Sequence, residues 1–447
     1  MDTKKVKLTF CGGAGSTTGA NFLLESHSTN ILIDCGLEQG GGAASEHNRE
    51  AFPYNPHEIT TLLITHAHID HIGRIPKLVK DGFKGIIYST PATRDLAEVM
   101  LADAGRILEE EAKAKGILPL YEHKDIVEAL KLWKKAEYHT FIDLGDSLQA
   151  YVKDAGHILG SVMYEISAEG SDKKLVFTGD LGNSPTLFLN DTESIKGAAY
   201  LVMESVYGDR NHESKEERKQ KLTEVIQDTI ARNRTLIIPA FSLERTQDII
   251  FEMNDLVEHN IIKPIPVYLD SPLGSQVTAI YKRYIKNGDD LFDFPKLTFT
   301  VHRTQSEAIH TAGNPKIIIA GSGMSSGGRV LSHEWYYLGR KDATLLFVGY
   351  QAAGTLGRRI LDGAKEVIMG GQKIKIRAEI KSIMGYSSHK DSDHLIEFVE
   401  QGQETLKKVF VAMGEPKSSL FLVQRLRDYL NVNAVYPKRG ETVELEM

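Results

Sequence analysis

The sequence predicts an α/β protein in which a second α/β domain is inserted into the first. Short apolar stretches alternate with amphipathic helical stretches, a pattern typical of parallel strands joined by right-handed crossovers. The rhythm of these stretches changes after Gly208 and changes again near Gln372. At 447 residues the chain is also longer than one ordinary hydrophobic core requires.

The N-terminal part is predicted to contain strands on either side of one long helix. Apolar and β-branched residues bounded by turn residues predict the strands. Leu96, Val99, Met100 and Leu108 recur at helical spacing and predict the helix. The predicted strands are 5–11, 20–25, 31–35, 61–65, 151–154, 162–167 and 175–178, and the predicted helix is 92–115.

The remaining elements belong to the predicted insertion and to the segment that follows it. Helices are predicted at 216–231, 244–256 and 393–400, and strands at 235–238, 266–269, 316–320 and 344–348. A strand, a helix and a strand follow between 408 and 436. The predicted domains are 1–208, an insertion at 209–371, and a segment at 372–447 that completes the first domain.

The composition is that of a globular protein in a reducing compartment. Hydrophobic residues make up 41% and charged residues 25% of the chain, and no apolar run reaches membrane-spanning length. We therefore expect no membrane partner and a cytoplasmic location. The two cysteines, Cys11 and Cys35, predict no disulfide framework. The net charge of −7 provides no overall attraction to a polyanion.

The run His66-Ala67-His68-Ile69-Asp70-His71 is the most informative feature of the chain. It directly follows the predicted buried strand 61–65. Imidazoles and a carboxylate at this density suit two adjacent divalent ions with nitrogen and oxygen ligands. A polar loop with solvated histidines is the alternative interpretation.

Further downstream, polar residues follow other predicted strands in the same way. Asp34 and Asp180 each end a strand, and His157 lies between glycines after another. An aspartate at the end of a strand is by itself typical of a turn. In combination with the histidine run, the three residues indicate a metal site.

These motifs resemble those of the metallo-β-lactamase superfamily, whose fold is an αββα sandwich with metals at one edge. The resemblance implies that His66, His68 and His157 bind one metal and that Asp70 and His71 bind a second. It implies that Asp180 bridges the two metals. Asp34 would orient a ligand from behind, as metal-bound imidazoles usually require.

Further motifs are similar to those of the β-CASP group of that superfamily, which processes nucleic acids. They are the stretches 203–210, 239–247, 321–329 and 386–391. The resemblance spans nearly the whole chain and implies an inserted β-CASP domain. It points to bacterial and archaeal ribonucleases akin to the endonuclease subunit of the cleavage-and-polyadenylation machinery.

Met413 departs from the family pattern. The family carries a histidine at the matching position of the stretch 410–416. A thioether is a poor ligand for hard divalent ions, so we expect weaker occupancy of the second site. DNA-processing members also carry an apolar residue here, which leaves a DNA nuclease open.

The resemblance implies a zinc-dependent ribonuclease that cleaves single-stranded RNA with a metal-bound hydroxide and leaves 5′-phosphate and 3′-hydroxyl ends. Manganese could replace zinc at the carboxylate-rich site. Asp70, Glu204 and His389 form the expected catalytic set, with His389 as the general acid and Glu204 as its partner. The expected substrate-binding residues are Ser387, Arg245, Gly323 and Arg329.

Several alternatives stay open. A weakly active RNA-binding subunit is a second class of function, and a homodimer is plausible from the family. The sequence does not decide between endonuclease and 5′-exonuclease action. Two residues receive ordinary structural interpretations: His333 is expected on a helix surface and Met384 in the core.

Overall fold

The computed structural model describes residues 4–40, 42–352 and 354–447. Its strands are β1 (Lys5–Gly12), β2 (Asn21–Glu25), β3 (Asn30–Ile33), β4 (Thr61–Leu63), β5 (Ile86–Ser89), β6 (Trp133–Lys135), β7 (Phe141–Gly145), β8 (Leu148–Asp154), β9 (Val162–Ala168), β10 (Lys174–Phe177), β11 (Tyr200–Met203), β12 (Thr235–Pro239), β13 (Val267–Asp270), β14 (Leu297–Phe299), β15 (Lys316–Ala320), β16 (Ala343–Val348), β17 (Glu366–Met369), β18 (Gln372–Lys375), β19 (Glu379–Ile383), β20 (Lys408–Val411), β21 (Ala434–Val435) and β22 (Thr442–Glu446).

The helices lie between these strands. They are α1 (Gly42–Arg49), α2 (Ile69–Ile72), α3 (Ile75–Lys80), α4 (Pro91–Lys115), α5 (His123–Lys131), α6 (Lys215–Ala231), α7 (Arg245–Glu258), α8 (Pro272–Tyr284), α9 (Gly288–Leu291), α10 (Arg303–Ile309), α11 (Val330–Tyr337), α12 (Leu356–Leu361), α13 (Ser392–Glu400) and α14 (Pro416–Leu430). A 3-10 turn spans Pro56–Glu58. Among the described residues, none of these helices is long and apolar enough to cross a membrane.

The first of two compact units is an αββα sandwich. It ends at Asn211 and resumes from Ser388 to Met447. One sheet has the order β22-β1-β2-β3-β4-β5-β6, and the other has the order β21-β20-β11-β10-β9-β8-β7. Leu8 of the first sheet and Tyr164 of the second belong to one buried core, so the apolar faces of the two sheets pack on each other.

Helices cover the outer faces of the sandwich. Leu201 of β11 shares a second core with Phe398 of α13 and Leu422 of α14. On the other sheet, α4 contacts β6. Thr90 caps the start of α4, and left-handed Gly116 ends it, as the capping preferences of helices predict. The predicted fold class is confirmed.

The second unit, His212–Ser387, is a parallel sheet with helices. Its strand order is β14-β13-β15-β12-β16-β19, and β17 and β18 form a separate antiparallel pair. The chain leaves the first unit close to the predicted boundary at 208, but it returns at Ser388 instead of 372. The reason for the later return is β19, which pairs in parallel with β16 and so completes the inserted sheet.

Candidate metal centre

The predicted metal ligands of the first unit follow the ends of its strands. His66 and His68 come after β4, His157 lies between β8 and β9, and Asp180 comes after β10. The backbone N–H of His157 donates to Ser161 Oγ at 3.0 Å, which fixes its loop. Residues that lie far apart in sequence are thereby brought to one edge of the sandwich.

Close backbone packing places the second half of the histidine run. Helix α2 begins after His68, so Asp70 and His71 lie in its single turn. The carbonyl of Asp70 accepts a hydrogen bond from Ala20 N at 2.9 Å. A Cβ atom on Gly36 would lie 1.5 Å from that carbonyl oxygen, so only glycine permits this approach.

Four donor atoms converge on one point. His66 Nε2 lies 3.0 Å from His68 Nδ1, which lies 3.3 Å from His157 Nε2. Asp180 Oδ2 lies 3.4 Å from His66 Nε2 and 3.6 Å from His157 Nε2. Ligands about 2.0–2.1 Å from a tetrahedral zinc ion are about 3.3 Å from each other. The spacing of these four atoms therefore fits a tetrahedral metal ion.

Burial keeps these imidazoles neutral, which is the form that binds a metal. It lowers the pKa of His66, and it lowers the pKa of His68 and His157 well below the ordinary histidine value. Burial also raises the pKa of Asp180, but the neighbouring His71 and His66 outweigh it and hold this pKa well below its ordinary value.

Polar atoms at this edge lack hydrogen-bond partners within the described part of the chain. They include His71 Nε2, His157 Nδ1 and Asp180 Oδ1, all buried. A buried polar atom without a partner normally costs about 1–3 kcal/mol. His71 Nε2 and Asp180 Oδ1 face each other at 3.4 Å. A cation between them would satisfy both atoms.

His71 lies near both of the other residues predicted to bind a second ion, Asp70 and Asp180. His71 Nε2 lies 4.0 Å from Asp70 Oδ2. Behind the ring, Asp34 Oδ2 lies 2.7 Å from His71 Nδ1 and fixes the tautomer that directs the Nε2 lone pair toward Asp180. Burial lowers the pKa of His71, but the charges of Asp180 and Asp34 outweigh it and raise this pKa well above its ordinary value. A metal ion at Nε2 would take the place of the proton that this nitrogen otherwise binds.

His389 and Glu204 form a pair beside the four donor atoms. His389 Nδ1 lies 3.0 Å from both Oε1 and Oε2 of Glu204, and 3.9 Å from Asp180 Oδ2. Glu204 is fully buried, whereas the His389 side chain is 20% exposed. Burial lowers the pKa of His389, but Glu204 and Asp180 more than compensate and raise it to about 9. The imidazole can therefore hold a proton at neutral pH.

Met413 belongs to the apolar core between the two sheets. It lines a small internal cavity together with Asp34, His71 and Glu204. A Cβ atom on Gly13 would lie 2.4 Å from Met413 Sδ, so the thioether packs directly on that glycine.

The predicted substrate-binding residues lie in the second unit. Arg245 is buried and donates from Nη1 to Val348 O at 2.6 Å. Arg329 donates to Asp270 Oδ1 and to the carbonyls of Thr300 and Val301. Gly323 and Ser387 are both buried. Their roles in binding substrate stay predictions.

Two structural interpretations were wrong. His333 is fully buried, because its Nε2 bonds Asp270 Oδ2 at 2.7 Å and its Nδ1 lies 3.2 Å from His310 Nε2. Met384 is 39% exposed, because it follows β19 at the edge of its sheet.

The sequence analysis missed Thr65, which supports Asp34. Its N–H and its hydroxyl both donate to the Asp34 carboxylate at 2.8 Å. Its position directly before His66 was the available signal.

Comparisons with known proteins agree with this geometry. The model of the metallo-beta-lactamase superfamily matches residues 17–232 and that of the Beta-Casp domain matches 246–360. The model described as a Zn-dependent metallo-hydrolase RNA specificity domain matches 373–437.

Similar curated proteins include Ribonuclease TTHA0252 of Thermus thermophilus, which is 33% identical over 92% of this chain and 94% of its own. Transcription termination factor FttA of Methanosarcina mazei is 30% identical over 98% of this chain and 72% of its own. A solved protein of unknown function from Enterococcus faecalis shares the fold, with a TM-score of 0.60 and 14% identity over 99% of this chain and 100% of that one.

Fold, site and relatives together define a metal-dependent hydrolase. The chain belongs to the β-CASP group of the metallo-β-lactamase superfamily.

Proposed function

We propose that this protein is a zinc-dependent ribonuclease that hydrolyses phosphodiester bonds of single-stranded RNA. The observation that carries the proposal is the convergence of His66, His68, His157 and Asp180 on one point beside the Glu204–His389 pair. The ribonuclease named among the relatives and the RNA-specificity model over 373–437 support RNA as the substrate.

His66, His68, His157 and Asp180 would hold the first metal, and Asp70, His71 and Asp180 the second. Imidazole-rich tetrahedral donor sets favour zinc, and manganese suits the second, carboxylate-rich set. Bound metals would activate water and neutralise negative charge on the phosphoryl group. With Met413 in place of a histidine, we expect the second ion to bind more weakly.

The residues of the chain supply the proton for the leaving group. In the proposed reaction a water molecule loses a proton to the solvent, the resulting hydroxide oxygen forms a bond to phosphorus, and the bond between phosphorus and O3′ breaks. His389 donates the proton that O3′ needs, so the products carry a 5′-phosphate and a 3′-hydroxyl. Because both Glu204 oxygens hold Nδ1, the proton is transferred from Nε2. General acid catalysis of this kind typically contributes about 10²–10⁴-fold.

The test compares wild type with His389→Ala on end-labelled single-stranded RNA and matched DNA, with added zinc or manganese. His394→Ala is the matched control, because His394 lies on α13 and bonds Asp391 instead. We expect RNA cleavage by wild type and His394→Ala, and a loss of about 10²–10⁴-fold in metal-loaded His389→Ala. Product lengths then separate endonuclease from 5′-exonuclease action.

Other results would overturn the proposal. Cleavage of DNA alone would indicate a DNA nuclease of the same group. RNA binding with metal present and no cleavage would indicate a weakly active RNA-binding subunit, with Met413 as the first residue to exchange.

A further inference from the structure

Two aromatic side chains lie exposed at the carboxyl edge of the inserted sheet. Phe241 comes two residues after the end of β12, and Tyr350 comes two residues after the end of β16. Their exposed fractions are 41% and 37%. The strands are parallel neighbours, with Ile237 opposite Leu345, so both rings emerge at the same edge.

The topology of the sheet marks this edge as a place for a ligand. From β12 the chain passes β15 to reach β13, and from β15 it passes β12 to reach β16. The connections of these two neighbouring strands therefore leave in opposite directions along the sheet. Open α/β sheets bind ligands at the carboxyl ends of such strand pairs.

The backbone of the glycine-rich loop after β15 holds the Phe241 ring. A Cβ atom on Gly323 would lie 2.9 Å from Cδ2 and 3.1 Å from Cε2 of Phe241, so the ring rests against a residue that must lack a side chain. Thr246 fixes the backbone of Phe241 by donating from N–H and hydroxyl to its carbonyl, at 3.2 and 2.7 Å. The ring is therefore positioned before any ligand binds.

Buried polar contacts tie the Tyr350 loop to the same glycine. Gln351, 2% exposed, donates from Nε2 to Gly323 O at 2.9 Å and lies within 3.3 Å of Tyr350 O. Arg245 donates to Val348 O directly before this loop. Gly323 thus contacts Phe241 directly and the loop of Tyr350 through Gln351, and we call these two loops the rim.

Hydroxyl groups lie in the loops that follow β12 and β13 at the same edge. Ser242 Oγ and Ser271 Oγ are 3.1 Å apart, and a Cβ atom on Gly321 would lie 3.3 and 3.7 Å from them. Exposed aromatic side chains beside a glycine-rich loop offer a surface on which nucleotide bases can stack.

We propose that Phe241 and Tyr350 form a stacking platform for unpaired RNA bases. The inference rests on the proposed ribonuclease function and adds how the inserted unit recognises single strands. Stacking on aromatic rings accepts every base, so the platform selects unpaired RNA without selecting sequence.

The test measures binding of a fluorescein-labelled oligouridylate of about twelve nucleotides to the full metal-loaded chain, by anisotropy. All variants carry His389→Ala so that the RNA survives the titration. Phe241→Leu and Tyr350→Leu keep an apolar side chain but remove the ring, and Phe241→Trp restores one. Trp335→Leu is the matched control, because Trp335 is an equally exposed aromatic (50%) on α11 of the same unit.

We expect each leucine variant to raise Kd about 5- to 150-fold, and Phe241→Trp and Trp335→Leu to leave it within about twofold. An abasic version of the same oligonucleotide should bind wild type and both leucine variants equally, because the base that stacks is missing. Melting temperatures equal to wild type show that the variants are folded.

The outcomes separate the two proposals. The platform proposal is wrong if the leucine variants bind RNA as tightly as the chain with Phe241 and Tyr350 intact. The ribonuclease proposal would then still stand, and a protein partner would become the next occupant to test. If no form of the protein binds RNA, the ribonuclease proposal fails and the platform fails with it.

Discussion

The metal edge of the first unit and the carboxyl edge of the second differ in the burial and the chemistry of their side chains. At the metal edge, His66, His71 and Asp180 are at most 3% exposed, and several of their polar atoms lack partners among the described residues. At the second edge, Arg245 and Arg329 are bound to backbone carbonyls and Asp270, and the exposed groups are aromatic. Both edges consist of loops that follow the ends of strands.

This difference indicates which ligand each edge can accept. A buried cluster of lone pairs is stabilised by a cation, because buried polar groups without partners are costly. Covering an exposed aromatic ring with a flat apolar surface is favourable in free energy. We therefore expect the first edge to bind cations and the second edge to bind flat apolar groups.

Asp180→Asn should cause the largest loss of metal binding and of RNA cleavage. The carboxylate faces His66 and His157 with one oxygen and His71 with the other, and the amide removes its charge. Loss of outer hydrogen-bond partners of metal ligands costs about 10–100-fold in affinity or activity, so loss of this shared ligand should cost more. Metal content by mass spectrometry and RNA cleavage both measure it.

The control is Asp154→Asn, whose carboxylate at the end of β8 bonds Gly156 and Asn190. It should keep both metal and activity. Full metal content in Asp180→Asn would show that this aspartate is not a ligand.

Glu204→Gln should slow cleavage about tenfold to hundredfold and leave the metal in place, because it weakens the hold on the proton of His389. Glu165→Gln is its control, since Glu165 is also buried in the first unit but pairs with Lys174. Loss of metal from Glu204→Gln would instead identify Glu204 as a ligand.

The metal edge was predictable from sequence because its signals are local. Each donor follows a strand end, and His66, His68, Asp70 and His71 lie in one short run. The structure places donor atoms of His66, His68, His157 and Asp180 around one point, with His71 beside Asp180 and Asp34 behind His71. Their metal-binding roles remain for the substitutions to test.

The second unit was less predictable because its features depend on tertiary contacts. Helical spacing places His333 on α11, but only the fold brings Asp270 of β13 to it and so buries it. Met384 has an apolar side chain, yet β19 lies at the sheet edge and leaves it exposed. The exposure of Phe241 and Tyr350 likewise depends on contacts between loops, such as the hydrogen bond from Gln351 to Gly323.

Met413→His should strengthen binding of the second metal, with a smaller effect than the substitutions above. Residue 413 has a positive φ of 43° and lies beside the cavity next to His71, and histidine tolerates this backbone region. The number of tightly bound metals per chain should rise toward two. Met384→His adds a histidine at an exposed position and should not change the stoichiometry. An unchanged metal count in Met413→His would place this residue away from the second ion.

The smallest effect concerns a buried carboxyl of the second unit that a proton neutralises, whereas we propose cations for the buried groups of the first unit. Burial raises the pKa of Glu334 to about 7, and one of its oxygens lacks a hydrogen-bond partner among the described residues. The protonated form therefore favours the folded state. That stabilisation is complete below the ordinary value of 4.5 and is lost as the pH rises through about 7.

Glu334→Gln keeps an uncharged acceptor for Ser325 at every pH. We expect a melting temperature about 5 °C above wild type at pH 8 and little difference at pH 5, measured by calorimetry. Glu307→Gln on α10, an exposed partner of Arg303, should show neither shift. An equal shift at both pH values would mean that Glu334 is charged throughout, and that the second unit tolerates a buried charge as the metal edge does.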